Sequence, residues 1–307
     1  MAKKLTLALG GGGTKGYAHI GVLRQLEQEG YEIAAIAGTS AGGIAGAFYA
    51  YGYSVDEIIS FIDEIDITKL FSRKRSDAPS LMGLGGLYDF LESKFGSHTF
   101  EDLKIPFAVT SVDIRTGKEV IINKGRIVNA VKATTAVPGI FPSLVLKDKV
   151  LIDGGVLDPV PVSVARWLCP THPILAICLS LGEESWSDLP KIKVPSFAPI
   201  PSLIIKQLGN LRIGKATQIS LESLEIMQMM IAELRLRIDK PDVIIRPLLR
   251  NYYFLDDIDP YELIKEGESK VKENIVLIEQ ARKLNKRITR WMKPTRPPGL
   301  LIDEDDY

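Results

Sequence analysis

Two short glycine-bearing turns, each set between an apolar β-branched run and a helical pattern, constrain this chain more than any other feature. The first is GGGGTKG (Gly10–Gly16), between the run Leu5 to Leu9 and a helical stretch from Thr14 to Glu29. The second is GTSAG (Gly38–Gly42), between Ile33 to Ala37 and a helical stretch from Ala41 to Tyr51. A β-α-β-α opening implies parallel strands, and both turns then fall at the carboxyl ends of neighbouring strands, where open α/β sheets place ligands.

The glycine turn satisfies GxGxxG, yet no acidic residue ends the second strand to hold a ribose. It is not a P-loop either, because Lys15 is followed by Gly16 in place of Ser or Thr. What remains is a bed of backbone amides, Gly11 to Thr14, without a nucleotide to bind. GTSAG sits in the strand-turn-helix context of a nucleophile elbow, which would project Ser40 above the sheet; the plain alternative is a turn serine capping a helix. With both loops on one edge, the amides suit an acyl oxyanion on Ser40.

A serine nucleophile needs a base. The three histidines are His19 on the first helix, His98 in a polar loop and His172 in a short connection. The order Ser40, Asp153, His172 fits an α/β-hydrolase triad, but that fold reaches its nucleophile after several strands and Ser40 ends the second. The other candidate is Asp153 of DGG (Asp153–Gly155), after an apolar run at Val150 to Ile152. It could take the serine proton itself in a dry crevice, since burial raises a carboxyl pKa; alone, DGG reads as a turn.

The α/β rhythm continues. Ser54 and Glu57 form a capping-box signature for a helix to about Ile65; Ser72 to Gly86 is polar and irregular; a helix at Leu87 to Lys94, runs at Phe107 to Ile114 and Val120 to Ile122, a helix at Ile127 to Thr134, one at Val162 to Leu168 and a strand at Ile174 to Leu179 follow. Four prolines punctuate Gly182 to Pro201. Leu221, Leu224, Met227, Ile231, Leu234 and Ile238 recur at helical spacing, Asp242 to Arg246 can return a strand, and a last helix starts at Asp259 with Pro260 and runs to about Trp291. We expect one domain over 1–290, with a motif-bearing core at 5–181, a cover segment at 182–214, helices and a strand at 215–290, and a loose tail at 291–307. Val194 to Gly214, with Phe197, Leu203 and Ile204, suits either a gate over the site or a core connector.

Composition excludes other classes. Thirty-eight basic and 38 acidic side chains cancel, and no basic stripe offers nucleic acid a footprint. Cys169 and Cys178 are too few for a disulfide framework, and no Cys/His cluster or acidic calcium loop marks a metal site, so we expect thiols in a reducing compartment and no metal or organic cofactor. The opening lacks a signal-peptide pattern, which reads as cytoplasmic. Ile33 to Val55 is 23 residues without a charge, yet five glycines and three tyrosines make it too small and weakly apolar for a span.

The ordered set GGGTKG, GTSAG and DGG resembles the patatin-like phospholipase family. The likeness extends through GYAHIGVLRQLEQEG, KATTAVPGIFPSL and DGGVLDPVPVSVAR, from Leu5 to about Leu181. It implies a three-layer α/β/α sandwich with a mainly parallel central sheet and a Ser-Asp dyad of Ser40 and Asp153. It further implies an oxyanion hole in the loop Gly11, Gly12, Gly13, Thr14, Lys15 and Gly16, an elbow framed by Gly38, Thr39, Ala41 and Gly42, and a DGG loop completed by Gly154 and Gly155. Lys15 stands where plant members carry arginine. The implied substrate is a fatty-acyl ester of a (lyso)phospholipid or related lipid, met in the cytoplasm or peripherally at a membrane surface. The alternatives are a Ser-Asp-His esterase using His172 and a non-catalytic lipid- or nucleotide-binding regulator. Arg73, Lys74 and Arg75 suit anionic headgroups or a solvated cluster; Met227, Met229 and Met230 suit an acyl channel or a core.

Overall fold

The computed structural model describes residues 3–65, 67–75, 77–182, 212–249, 252, 259–283 and 297–302. Strand β1 (Lys3–Leu9) leads through a tight turn (Gly13–Gly16) to helix α1 (Tyr17–Gln28), β2 (Tyr31–Gly38) and α2 (Ala41–Tyr51). Then come α3 (Val55–Glu64), α4 (Ile67–Leu70), α5 (Gly85–Phe95), β3 (Phe107–Asp113), β4 (Lys118–Ile122) and α6 (Ile127–Thr134). The chain continues with β5 (Leu144–Leu146), β6 (Lys149–Asp153), α7 (Val162–Leu168), β7 (Ile174–Ile177), α8 (Arg212–Asp239), β8 (Val243–Ile245), α9 (Pro260–Ala281) and β9 (Leu300–Leu301). The capping box at Ser54 is formed: its hydroxyl accepts from the Glu57 amide and the Glu57 carboxylate accepts from the Ser54 amide.

The strands form one sheet in the order β5-β6-β3-β2-β1-β7-β8, with β4 pairing β3 and β9. The run β3-β2-β1-β7-β8 is parallel, while β4 and β6 lie antiparallel to β3 and β5 antiparallel to β6. Alternation along each strand builds the layers. Leu5, Leu7 and Leu9 face a large core under α1, α2, α5, α6 and α9, and burying each leucine contributes roughly 2 kcal/mol. Ala8, Ala37, Ala108 and Ala176 face the other side, a floor of small residues on which α7 and Ala232 and Leu236 of α8 settle closely. This is the expected α/β/α sandwich. Helices α1 and α9 approach closely, since a Cβ at Gly21 would overlap the Ile264 carbonyl and one at Gly267 the Ala18 carbonyl.

Register explains how the last motif reaches the first two. Val109 of β3 pairs with both Gly38 of β2 and Ile122 of β4, so β2 and β4 take opposite edges of β3. Ser111 pairs with both Val120 of β4 and Asp153 of β6, so β6 takes the edge that β2 has vacated. Running antiparallel, β6 meets the end of β2 head-on and delivers Asp153 beside the elbow.

Three expectations differ from the structure. Helix α8 forms, but Met227, Leu234 and Ile238 are 53%, 48% and 71% exposed, while Met229, Ala232 and Leu236 are buried. Leu224 of the periodic stripe packs against the large core, but further along the helix the packed face is a different one; the alanine floor favours the face with Ala232, and ion pairs from Glu225 and Arg235 hold that face inward. Within the stretch read as a loose tail, Leu300 and Leu301 pair with Val120 and Ile121, and Ile302 is 1% exposed. The polar, glycine-rich stretch 72–86 suits a mobile loop by composition, yet among its described residues the Leu81 and Met82 amides donate to the Gly139 and Ile140 carbonyls, and Lys74 pairs with Asp89. Residues 183–211, including Phe197, Leu203 and Ile204, lie outside the described residues.

Candidate active site

Ser40 adopts φ 53 and ψ −121, a sparsely populated region for a residue with a side chain. Neighbouring bonds impose it. The Thr39 amide donates to the Leu9 carbonyl (3.0 Å), the Thr39 hydroxyl bonds Thr110 Oγ1 (2.7 Å) and the Asp158 carbonyl (2.9 Å), and the Ser40 amide donates to Thr134 Oγ1 (2.9 Å). The elbow is therefore gripped from β1, β3, α6 and the loop after β6. Gly42 lets α2 abut β1, because a Cβ there would overlap the Leu9 carbonyl.

Asp153 is buried at 1% exposure. Its Oδ1 accepts the Gly155 amide at 2.7 Å, and its Oδ2 has no formed hydrogen bond. Burial pushes its carboxyl up to about 7, while the Ser40 hydroxyl and the Gly155 amide pull in the opposite direction. A carboxylate poised near neutrality against a serine hydroxyl is basic enough to accept its proton, which an ordinary aspartate is not.

In the glycine loop the Gly11 amide already donates to the Pro159 carbonyl (2.9 Å) and the Lys15 amide to the Gly12 carbonyl (3.3 Å). Among the described residues the amides of Gly12 and Gly13 have no acceptor, and Gly13 lines the same cavity as Ser40. Lys15 reaches away to Glu225 of α8 (3.3 Å) and is 8% exposed. The Gly11 and Lys15 amides are thus engaged within the scaffold, while those of Gly12 and Gly13 remain available to an acceptor.

The cavity beside Ser40 holds about 1010 Å³, counting its open mouth. Ile20, Ile44, Phe48, Phe61, Phe90 and Phe141 are among its walls, and Phe48 packs with tilted rings against Phe61 and Phe90 at 5.7 and 6.0 Å between ring centroids. Its apolar and aromatic walls suit a ligand with an apolar body. None of Met227, Met229 and Met230 lines it.

The histidines are elsewhere. His172 precedes β7 at the amino ends of the parallel strands, separated from the Ser40 edge by a four-residue strand, or about 13 Å. His19 is buried, donating from Nε2 to the Gly10 carbonyl (2.7 Å), and burial lowers its pKa to about 4. His98 pairs with Asp102 at 3.2 Å. Geometry therefore separates His172 from Ser40 and Asp153. Among the described residues no group of three or more His, Cys, Asp or Glu could hold a metal, and no helix is long and apolar enough to cross a membrane. Sequence patterns do not single out Thr110, Thr134, Asp158 or Arg235; only KATTAVPG and the residues after DGG hint at Thr134 and Asp158.

Comparison with solved structures identifies the fold first. The chain resembles VipD from Legionella pneumophila with a TM-score of 0.54 at 13% identity, covering 91% of this chain and 67% of that one. The family follows from sequence: a model described as patatin-like phospholipase matches residues 7–166, and the chain belongs to that family. It is 34% identical over 186 residues to an NTE family protein of Mycobacterium tuberculosis (59% of this chain, 50% of the relative), and 31% identical over 169 residues to lysophospholipase NTE1 of Candida albicans (51% and 12%). The chain spans about half the length of the mycobacterial relative.

Proposed function

We propose that this protein is a serine acyl hydrolase that cleaves fatty-acyl ester bonds of lysophospholipids, phospholipids or related lipid esters. The observation that carries this reading is a buried carboxyl with its pKa raised to about 7 beside a strained serine, at the wall of an apolar cavity. Asp153 takes the Ser40 proton as Oγ attacks the ester carbonyl, and the amides of Gly12 and Gly13 receive the oxyanion. The protonated Asp153 then gives its proton to the departing alcohol, leaving an acyl-serine. A water deprotonated by Asp153 attacks the acyl carbon, and collapse releases the fatty acid and returns the proton to Ser40. The likeness to a fungal lysophospholipase and the apolar cavity support a lipid substrate. We place this activity in one catalytic domain over 1–290, acting in the cytoplasm or peripherally at a membrane. Fluorophosphonate labelling of Ser40, with mass-spectrometric product analysis over phospholipids, lysophospholipids, triacylglycerols and short-chain esters, tests it. An unlabelled folded protein that hydrolyses none of them would refute the reading.

Two predictions arise here. Because the base must be ionised, kcat/KM should climb tenfold per pH unit up to about 7 and then level, so that activity at pH 5 is about a hundredth of the plateau. A profile flat from 5 to 8 would remove Asp153 as base. Activity should also survive excess EDTA, since no step above uses a metal; loss that calcium restores would indicate a different phospholipase mechanism.

A further inference from the structure

The loop that supplies Asp153 continues into Asp158 and Pro159, and these two residues touch all three catalytic loops through their main chain. The Asp158 carbonyl accepts the hydroxyl of Thr39, the residue before Ser40, at 2.9 Å. The Pro159 carbonyl accepts the Gly11 amide of the glycine loop at 2.9 Å. The Asp158 amide donates to the Gly154 carbonyl, beside Asp153, at 2.8 Å. Small movements of this pair would therefore shift the nucleophile, the candidate oxyanion amides and the base relative to one another.

The side chain of Asp158 is held from outside that loop. It is fully buried, and its Oδ2 accepts from Arg235 Nη2 of α8 at 2.8 Å. The same guanidinium reaches Ser163 at the start of α7 (3.1 Å), Asp239 (3.3 Å) and Glu119 of β4 (3.9 Å). Three carboxylates thus share one arginine, and burial pushes Asp158 well above the usual carboxylate range and Glu119 and Asp239 upward as well. Burying such a group is costly, and an apolar side chain could fill the same space more stably. A guanidinium fork gives what an apolar contact lacks, a fixed direction and distance.

We propose that Asp158, anchored by Arg235, is a positioning residue that sets the relative places of Ser40, the Gly12 and Gly13 amides and Asp153. The proposal rests on the hydrolase reading given above. An arginine pair that merely fastens α8 to the sheet would change how much protein is folded. A positioning pair changes how fast each folded site turns over.

The test measures kcat per active site, with site concentration obtained by fluorophosphonate titration, for Asp158→Ala, Asp158→Asn and Arg235→Gln. Asp158→Ala and Arg235→Gln are expected to lose about 10- to 100-fold in kcat per titrated site with KM within threefold, since misplacing reacting groups by an ångström costs on that order. Asp158→Asn, whose amide oxygen can still accept from Arg235, is expected to stay within about fivefold of wild type. The double variant Asp158→Ala with Arg235→Gln should be no slower than Asp158→Ala, because the two side chains act as one anchor. Wild-type kcat per site in Asp158→Ala and Arg235→Gln, whatever their melting temperatures, would overturn the proposal. If Asp158→Ala yields no folded protein, Arg235→Gln decides by the same measure. A wild-type protein that neither labels nor hydrolyses esters would overturn the hydrolase reading and this proposal with it; an active wild type with unaffected variants overturns only the latter.

Discussion

Ser40→Ala and Asp153→Asn are each expected to lower kcat by about 10⁴-fold, and the double variant to be scarcely slower than either, because nucleophile and base act as a unit and the residual rate comes from oxyanion binding alone. Asp153→Asn carries a second expectation that separates it from Ser40→Ala. Asp153 titrates near 7 in the fold, against about 4 in an unfolded chain. Below pH 4 both states are protonated and the group costs nothing. As pH rises from 4 to 7 the unfolded state ionises while the fold does not, so stability falls, and above 7 the folded protein carries a buried charge costing about 4 kcal/mol. Asp153→Asn removes that cost, and its amide oxygen can still accept from Gly155. It should therefore melt above wild type at pH 8 by several degrees, with the gap closing at pH 4. Near-wild-type turnover, or a melting temperature below wild type at pH 8 in a folded variant, would show that Asp153 is not a strained, ionisable base.

The second large effect concerns stability at the elbow. Gly42→Ala places a methyl group onto the Leu9 carbonyl, which cannot withdraw without breaking the bond it accepts from the Thr39 amide. The clash is backbone on backbone, with no flexible side chain to absorb it. We expect a loss of at least about 3 kcal/mol, or roughly 6 °C in Tm, and no folded protein from Gly42→Val. Gly117 gives the contrast: it has φ 65 but nothing within 4 Å, so Gly117→Ala should cost only about 1 kcal/mol. Equal melting shifts for Gly42→Ala and Gly117→Ala would mean that close approach is not what requires glycine at the elbow.

The elements were legible because local chemistry specifies them. The span Ile127 to Thr134 was read from its pattern and forms α6, and Ala41 to Tyr51 forms α2 after a serine held by its surroundings. Leu144–Leu146 carries no legible signal, because three partly exposed residues show no period. The stripe on α8 misled for a related reason: spacing shows that a helix has an apolar side, whereas which side packs depends on the surface it meets, here a floor of alanines.

What the sequence determined by itself was the pair of glycine turns on one sheet edge, the elbow serine and, through the ordered motifs, the family. These depend on backbone conformations and residue types within a few positions of one another. What only the tertiary structure decided was the meeting of residues more than a hundred positions apart. The shared edge of β3 brings Asp153 to Ser40, and burial there raises its pKa. Pro159 takes the Gly11 amide out of the candidate oxyanion donors, and His172 falls at the wrong end of the sheet. Strand register and burial are collective properties of the packed sheet, so no local window of the chain encodes them.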